Sequence, residues 1–250
     1  MPIFSKGRFR VRLAETDDDV RAAQRLRYLC FIEGRNASRE GLRAQGLEAD
    51  DLDPLCDHML IEDRRTGALA CCFRMLPLSN GSEIARSYSA RYYDLSALAE
   101  YPKPMVEMGR FCVHPEFRDP DALRAAWGAM TRYVDSNGVG MLFGCSSFEG
   151  TEADAHMDAF ALLAERHLAP KRWLPRVKAP RVFRFGTLLK RPDMKLAMRR
   201  MPPLLRTYLT LGGWVSDHAV IDNDLNTLHV FTGVEIASVP PARARLFRGT

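Results

Sequence analysis

Between Met105 and Trp127 the chain reads Met-Val-Glu-Met-Gly-Arg-Phe-Cys-Val, then a polar turn, then a helix-like run. The first stretch is apolar enough to be an interior strand, yet it contains Glu107 and Arg110. A charge inside an apolar strand is costly unless it is paired or used. The two residues therefore form an internal ion pair or belong to a site, and both readings stand at this point. Period two puts Glu107, Gly109, Phe111 and Val113 on one face and Met108, Arg110 and Cys112 on the other. A bulge at Gly109 would break that alternation and open a slot for an extended acyl or pantetheine arm. The turn then delivers Asp119 as N-cap and Pro120 to the first helical position, a natural place for an anion. An acid beside such a turn predicts group transfer from a phosphate-bearing carrier.

The rest of the chain supplies elements of both kinds. Phe9, Val11 and Leu13 alternate with Arg10 and Arg12, which predicts a half-buried strand. Thr16 and Asp19 form a capping box, followed by a helix to about residue 32. Residues 35–50 are polar and read as a short helix or loop. A hairpin is predicted over 58–78, irregular chain over 82–104, and an interior strand from Val139 to Cys145. Thr151 with Asp154 reads as the cap of another helix, and two strands follow near the C-terminus, 214–221 and 228–236. The order predicts an α/β chain with a mixed central sheet and helices on both faces. It is expected to form a single domain over residues 1–250.

No apolar run approaches the ~20 residues of a membrane span, and the N-terminus is too polar for a secretory signal. Six cysteines without a Cys-x-x-Cys pair predict reduced core residues in a cytoplasmic protein. The formal net charge of +5 is concentrated. From Arg166 to Arg206 there are 13 basic residues against Asp193 alone, in a proline-rich segment. The partner of such a segment is anionic: an acidic protein, a phosphate headgroup or, least well supported, nucleic acid. Nucleic acid fits poorly because no regular aromatic interleaving, helix-turn-helix or zinc module is present. Met194, Ala197, Met198 and Met201 with Lys195, Arg199 and Arg200 predict a short basic amphipathic helix that either touches a membrane surface or packs on the sheet.

No zinc spacing, Walker loop or Gly-x-Gly-x-x-Gly is present, and Phe148 breaks the Gly-x-Ser-x-Gly elbow around Ser146. Cys145 and Ser146 have no base beside them in the sequence. Asp50, Asp51, Asp53 and Asp57 form an acidic cluster ending at His58. His58 is either a general base oriented by Asp57 or an ordinary residue at a strand start.

Several of these residues together resemble the acyl-homoserine-lactone synthases and their relatives: Arg27-Tyr28 with Phe31, Asp50 and Asp53, Cys56-Asp57-His58, Arg74-Met-Leu-Pro, and Glu107-x-Gly-Arg110-Phe-x-Val. Later stretches, Met141 to Thr151, His167 to Pro170 and Pro203 to Trp214, are more similar to bacterial ornithine N-alpha-acyltransferases. The resemblance implies a GNAT-like acyltransferase fold. It implies transfer of a 3-hydroxyacyl group from acyl carrier protein to the alpha-amine of ornithine, giving lyso-ornithine lipid. A homoserine-lactone synthase and acylation of another amino acid, such as glutamine, are the alternatives, and a non-enzymatic module binding anionic surfaces is a third class. The donor's phosphopantetheine comes on the carrier, so neither a cofactor nor a metal of the chain's own is implied.

Under the resemblance Glu107 is the first candidate base, His58 the second, and Arg110 positions Glu107 or the substrate carboxylate. Arg27, Phe31, Asp50, Asp53, Asp57, Arg74, Phe111, Val113, Cys145 and Ser146 are expected to line the substrate site. Lys171, Arg172, Arg181, Arg184, Lys190, Arg199 and Arg200 are expected to dock the acidic carrier. One departure bears on the donor. CoA-using members of the fold carry a glycine-rich pyrophosphate turn. Here it reads Arg118-Asp-Pro-Asp-Ala-Leu, whose aspartates would repel a pyrophosphate. The enzyme is expected in the cytoplasm, either free there or peripheral at the inner face of the cytoplasmic membrane.

Overall fold

The computed structural model describes residues 2–34, 45–117, 120–188 and 190–243. In chain order its strands are β1 (Pro2–Lys6), β2 (Phe9–Leu13), β3 (Asp57–Asp63), β4 (Leu69–Leu78), β5 (Tyr93–Asp94) and β6 (Met105–Val113). They continue as β7 (Met141–Glu149), β8 (Arg176–Val177), β9 (Val182–Arg184), β10 (Trp214–Asp222) and β11 (Thr227–Glu235). The α-helices are α1 (Asp17–Tyr28), α2 (Pro120–Ser136), α3 (Met157–Arg166), α4 (Met194–Arg200) and α5 (Pro203–Thr210).

The chain divides into two compact units, one built from residues up to 77 with 108–138, the other from 78–107 with 139–243. In the first, β1, β2, β3 and β4 pair antiparallel in sequence order. Val11 faces Ile61 across β2 and β3, and Leu60 faces Cys72 across β3 and β4, the latter pair forming the expected hairpin. The Thr16 hydroxyl accepts from the Asp19 N–H while Asp19 accepts from the Thr16 N–H, the predicted capping box. Past Tyr28 the helix widens into a π-turn, Leu29–Glu33, ending at Gly34. Ala23 and Leu26 of α1 pack on Leu60, Cys72 and Cys112, with Phe31 against the same cluster. Residues 35–44 and the predicted cap Asp119, with Arg118, lie outside the described residues.

The second unit is a mostly antiparallel sheet. Strand β7 pairs with β11, β11 with β10, and β10 with β9, while Met105–Glu107 of β6 runs parallel to Met141–Phe143 of β7. Phe148, Phe160, Phe185, Leu205, Val215 and Val230 form its apolar core. The expected cap at Thr151 and Asp154 is corrected: a 3-10 turn, Ala153–His156, comes first and α3 starts at Met157 without a side-chain cap. The proline-rich segment is not featureless, since it contributes β9 to the sheet and the helices α4 and α5. The chain is thus of the expected α/β class, and its six cysteines are free thiols. Among the described residues no helix is long and apolar enough to cross a membrane.

Candidate active site

In the first unit six charges, four of them buried and two half-buried, close into a ring. Arg27 projects from α1, where its Nε donates to Glu48 Oε2 at 2.6 Å and Nη1 to Asp53 Oδ1 at 2.7 Å. Arg74, from β4, donates from Nη1 to Asp53 Oδ1 and Asp50 Oδ1, each at 2.5 Å, and from Nη2 to Asp50 Oδ2 at 2.7 Å. Arg110, from β6, donates from Nε to Glu48 Oε1 at 3.0 Å and from Nη2 to Asp50 Oδ2 at 3.3 Å. Cations and anions alternate around the circuit Arg27, Glu48, Arg110, Asp50, Arg74 and Asp53. The geometry is fixed by guanidinium planarity, since each Arg reaches two different carboxylates with separate N–H groups.

The ring has a buried side and an open edge. Side-chain exposure is 0% for Glu48 and 1% for Arg27, rising to 8% for Arg110 and 12% for Asp50. Burial opposes ionisation of Glu48, but Arg110 and Arg27 outweigh it and hold its carboxyl below the usual range. Asp50 and Asp53 are likewise held low, burial being overcome chiefly by Arg74 for the former and Arg27 for the latter. The ring is therefore not a net-negative pocket: three guanidiniums match three carboxylates, of which Asp50 and Asp53 come from the acidic cluster. Glu48, fully buried and central to the ring, carries no sequence signal that separates it from the acids around it.

Arg110 also has φ 54, the left-handed region that a long side chain rarely occupies. The unusual backbone in β6 is thus at Arg110 and not at the glycine before it. Gly109 has no positive φ, and a Cβ placed there would meet Arg74 Nε at 3.8 Å, an ordinary contact. From the Arg110 position one guanidinium reaches both of its neighbours in the ring, Glu48 and Asp50.

His58 is nearly buried, and its Nε2 lies 3.0 Å from the Asp53 carbonyl oxygen. Desolvation lowers its pKa, so the ring is neutral at physiological pH. Asp57 does not orient it. The Asp57 carboxylate accepts from the Tyr133 hydroxyl at 2.6 Å, because neighbouring residues of a strand point to opposite faces. Phe111 stacks on Phe73 with centroids 5.4 Å apart, and the Val113 carbonyl accepts from the Cys30 thiol at 3.5 Å.

Glu107, Cys145 and Ser146 belong to the second unit. Glu107 is 5% exposed, with Oε2 accepting from the Tyr88 N–H at 2.7 Å. Oε1 accepts from the Ser89 N–H at 2.7 Å and the Ser89 hydroxyl at 2.6 Å. The Ser89 oxygen lies 3.4 Å from Cys145 Sγ. A hydroxyl has one proton, and Ser89 gives it to Glu107, so the thiol is the donor in the second contact. The result is a directed chain from Cys145 through Ser89 to Glu107. Ser89, fully buried, was not distinguished by its sequence context. Ser146 turns the other way, accepting from the Thr232 hydroxyl at 2.9 Å.

Lys171, Arg172, Arg181, Arg184, Lys190, Arg199 and Arg200 are all exposed. Arg172 approaches Glu235 at 3.4 Å, and Lys190 pairs with Asp158 at 2.9 Å. Among the described residues no group of three or more His, Cys, Asp or Glu is placed to hold a metal.

Comparison with known proteins adds to this geometry. Residues 26–128 match the acetyltransferase (GNAT) domain family. An L-ornithine N(alpha)-acyltransferase of Rhodobacter capsulatus is 34% identical over 229 residues, 89% of this chain and 88% of that protein. A second, from Brucella abortus, is 31% identical over 235 residues, 90% of this chain and 83% of the relative. Among solved structures, the CoA-dependent acyl-homoserine lactone synthase BjaI, with SAM and isopentyl-CoA, shares the fold with TM-score 0.53. That match is 14% identical and covers 93% of this chain and 82% of the synthase.

Proposed function

We propose, from the premise that this chain belongs to the L-ornithine N(alpha)-acyltransferase family and is an amino-acid N-acyltransferase, that it moves a 3-hydroxyacyl group from acyl carrier protein to the alpha-amine of ornithine. The observation that carries the acceptor is the open edge of the charge ring. Arg110 and Asp50 sit side by side there, a cation and an anion, each committed within the ring yet partly reached by solvent. An amino acid presents the complementary pair, with its carboxylate recognised by Arg110 and its ammonium by Asp50. Arg27, Arg74, Glu48 and Asp53 hold those two in place.

The chemistry is attack of a neutral amine on a thioester carbonyl. The ammonium first loses one proton, the C–N bond forms, the C–S bond breaks, and the second N–H proton goes to the departing pantetheine sulfur, which leaves as the thiol. Glu107 is the proposed proton acceptor. Both its oxygens are already held by Tyr88 and Ser89. An incoming proton therefore displaces one donor or travels through the Ser89 hydroxyl. His58, engaged with the Asp53 carbonyl, is assigned to positioning. Backbone N–H groups near Phe111 and Val113 are proposed to polarise the thioester oxygen. Phe31 is proposed to pack beside the amino acid, Cys145 and Ser146 beside the acyl chain.

The donor is proposed to be carrier-bound. Asp121, beside the turn where CoA users hold pyrophosphate, adds negative charge there. The exposed Lys171, Arg172, Arg181 and Arg184 complement an acidic carrier. The donor brings its own phosphopantetheine, and the chain contributes no cofactor in this scheme. The enzyme is proposed to work in the cytoplasm. The test is donor competition. Purified protein with ornithine should release thiol from 3-hydroxyacyl carrier protein far faster than from the matching CoA thioester. Equal rates would remove the carrier, and consumption of adenosylmethionine would favour a lactone synthase.

A further inference from the structure

Glu107 is held by a turn that is itself anchored on two sides. The Tyr88 and Ser89 N–H groups that reach its carboxylate open the 3-10 turn Ser89–Arg91. Within that turn the Ala90 N–H donates to the Ser87 hydroxyl at 3.1 Å, which donates in turn to the Ile84 carbonyl at 2.7 Å. From the basic segment, Lys178 Nζ donates to the Ala90 carbonyl at 2.6 Å and the Ala179 N–H to the Tyr92 carbonyl at 2.9 Å. Swinging the backbone donors away from Glu107 would break several of these bonds and strand buried N–H groups, which is costly. A hydroxyl is under no such constraint. Glu107 Oε1 accepts both the Ser89 N–H and the Ser89 hydroxyl, at 2.7 and 2.6 Å, which uses both of its lone pairs. That oxygen gains a proton and keeps both partners when Ser89 hands over its own proton and takes another on its oxygen. The donor facing the Ser89 oxygen is the Cys145 thiol at 3.4 Å. A thiol is a weak donor, whereas an ammonium makes a charge-assisted bond. Ser89 is 0% exposed and Glu107 5%, while Cys145 is half-buried, so the sulfur is the outward end of the chain.

We propose that Ser89 is a catalytic residue that relays the amine proton to Glu107, and that the Cys145 thiol holds its place at the Ser89 oxygen until the amine arrives. This relay rests on the proposed acyl transfer, and it makes the hydroxyl, not displacement of a backbone donor, the path of the proton. An ammonium N–H replaces the thiol at the Ser89 oxygen. That N–H bond breaks as an O–H bond forms on Ser89, and the former Ser89 proton crosses to Glu107 Oε1. The hydroxyl is regenerated, the carboxylate becomes a carboxylic acid, and the nitrogen keeps the electron pair that attacks the thioester. After product release the proton returns to solvent by the same two transfers in reverse. The backbone of the turn stays still throughout.

The test is the pH dependence of kcat in Ser89→Ala, with ornithine and 3-hydroxyacyl carrier protein. The variant keeps both backbone donors to Glu107, so its circular dichroism and its KM for the donor should match wild type. At about pH 7, where the amine arrives as ammonium, kcat should fall about 10²-fold. Towards about pH 9.5, where more of the amine arrives neutral and needs no relay, the deficit should shrink below about tenfold. A merely structural role for Ser89 predicts a deficit that does not change with pH, and that result overturns the relay. Near-normal kcat at neutral pH also overturns it, with the proton reaching Glu107 directly. Cys145→Ser, which sets a stronger donor in the thiol's place, should raise KM for ornithine about threefold or more. An unmoved KM there overturns the proposal, and decides it if Ser89→Ala does not fold. Acyl mass on Cys145 after incubation with donor alone would make the sulfur a nucleophile, and likewise overturns it. Loss of turnover in Glu107→Gln but not in Ser89→Ala refutes the relay and leaves the reaction standing. No amide from wild type refutes the reaction, and the relay with it.

Discussion

Replacing Arg27 by methionine removes one corner of the charge ring while keeping most of the volume. Arg27 is 1% exposed and supplies hydrogen bonds at 2.6 and 2.7 Å to Glu48 and Asp53. Removing one partner of a buried ion pair costs about 3–5 kcal/mol, mainly through the charge left behind. Here neither carboxylate is fully abandoned, since Glu48 keeps Arg110 and Asp53 keeps Arg74. The loss should therefore fall near the lower end, about 3 kcal/mol, or a shift of about 1 M in urea midpoint. The assay is urea unfolding followed by Trp127, which lies in α2 of the first unit, in a background where Trp173 and Trp214 of the second are phenylalanine. The difference from wild type should shrink towards about pH 4, because the carboxylates that lost Arg27 take up protons there. A loss below about 1 kcal/mol at neutral pH would refute the ring as a buried electrostatic unit.

Other consequences follow from the same contacts. Glu107→Gln should lower turnover by roughly 10²–10⁴ with an unchanged fold; near-normal turnover removes Glu107 from the proton path. His58→Gln should lower stability yet leave the pH profile of kcat in place, and loss of a titrating limb would restore His58 as the base. Arg110→Lys should raise KM for the amino acid more than KM for the donor, since an ammonium cannot reach Glu48 and Asp50 with separate coplanar N–H groups. For stability against pH, two steps are expected on acidification. His58, His167 and His218 have folded pKa values lowered by desolvation, so the unfolded chain binds more protons below about pH 6.5 and stability begins to fall there. Glu48, Asp50 and Asp53 are held below the usual carboxylate range, so the stability they give above about pH 4 is lost as pH falls further. Thermal scans from neutral to acid pH check both steps.

Periodic features were legible in the chain because they repeat. The alternation of Phe9, Val11 and Leu13, the Thr16 capping box and the two C-terminal strands appear where the residues predict them. Pairings at long separation were not. Glu48 joins Arg110 across 62 residues, and Cys145 meets Ser89 across 56, so no local pattern marks either partner. Strand β9 was hidden for a different reason. Its residues Val182–Arg184 lie in a segment whose prolines and cations read as surface, although β10 pairs with it through His218–Val220. Thr151 and Asp154 misled because a cap residue followed by a polar turn also describes a 3-10 turn, which is what precedes α3.

The charged strand residues show both sides of this. That Glu107 and Arg110 needed partners followed from burial cost alone. Which partners they have did not. Glu107 is held by a turn some 20 residues upstream, and Arg110 by acids from a loop far earlier in the chain.

The most direct measurement is mass spectrometry of the product formed by purified protein, 3-hydroxyacyl carrier protein and ornithine. An acyl-ornithine amide, acylated at the alpha-nitrogen and formed only when amine and donor are both present, is the predicted result. Thioester hydrolysis without an amide, or amide formation with other amino acids but none with ornithine, would contradict it.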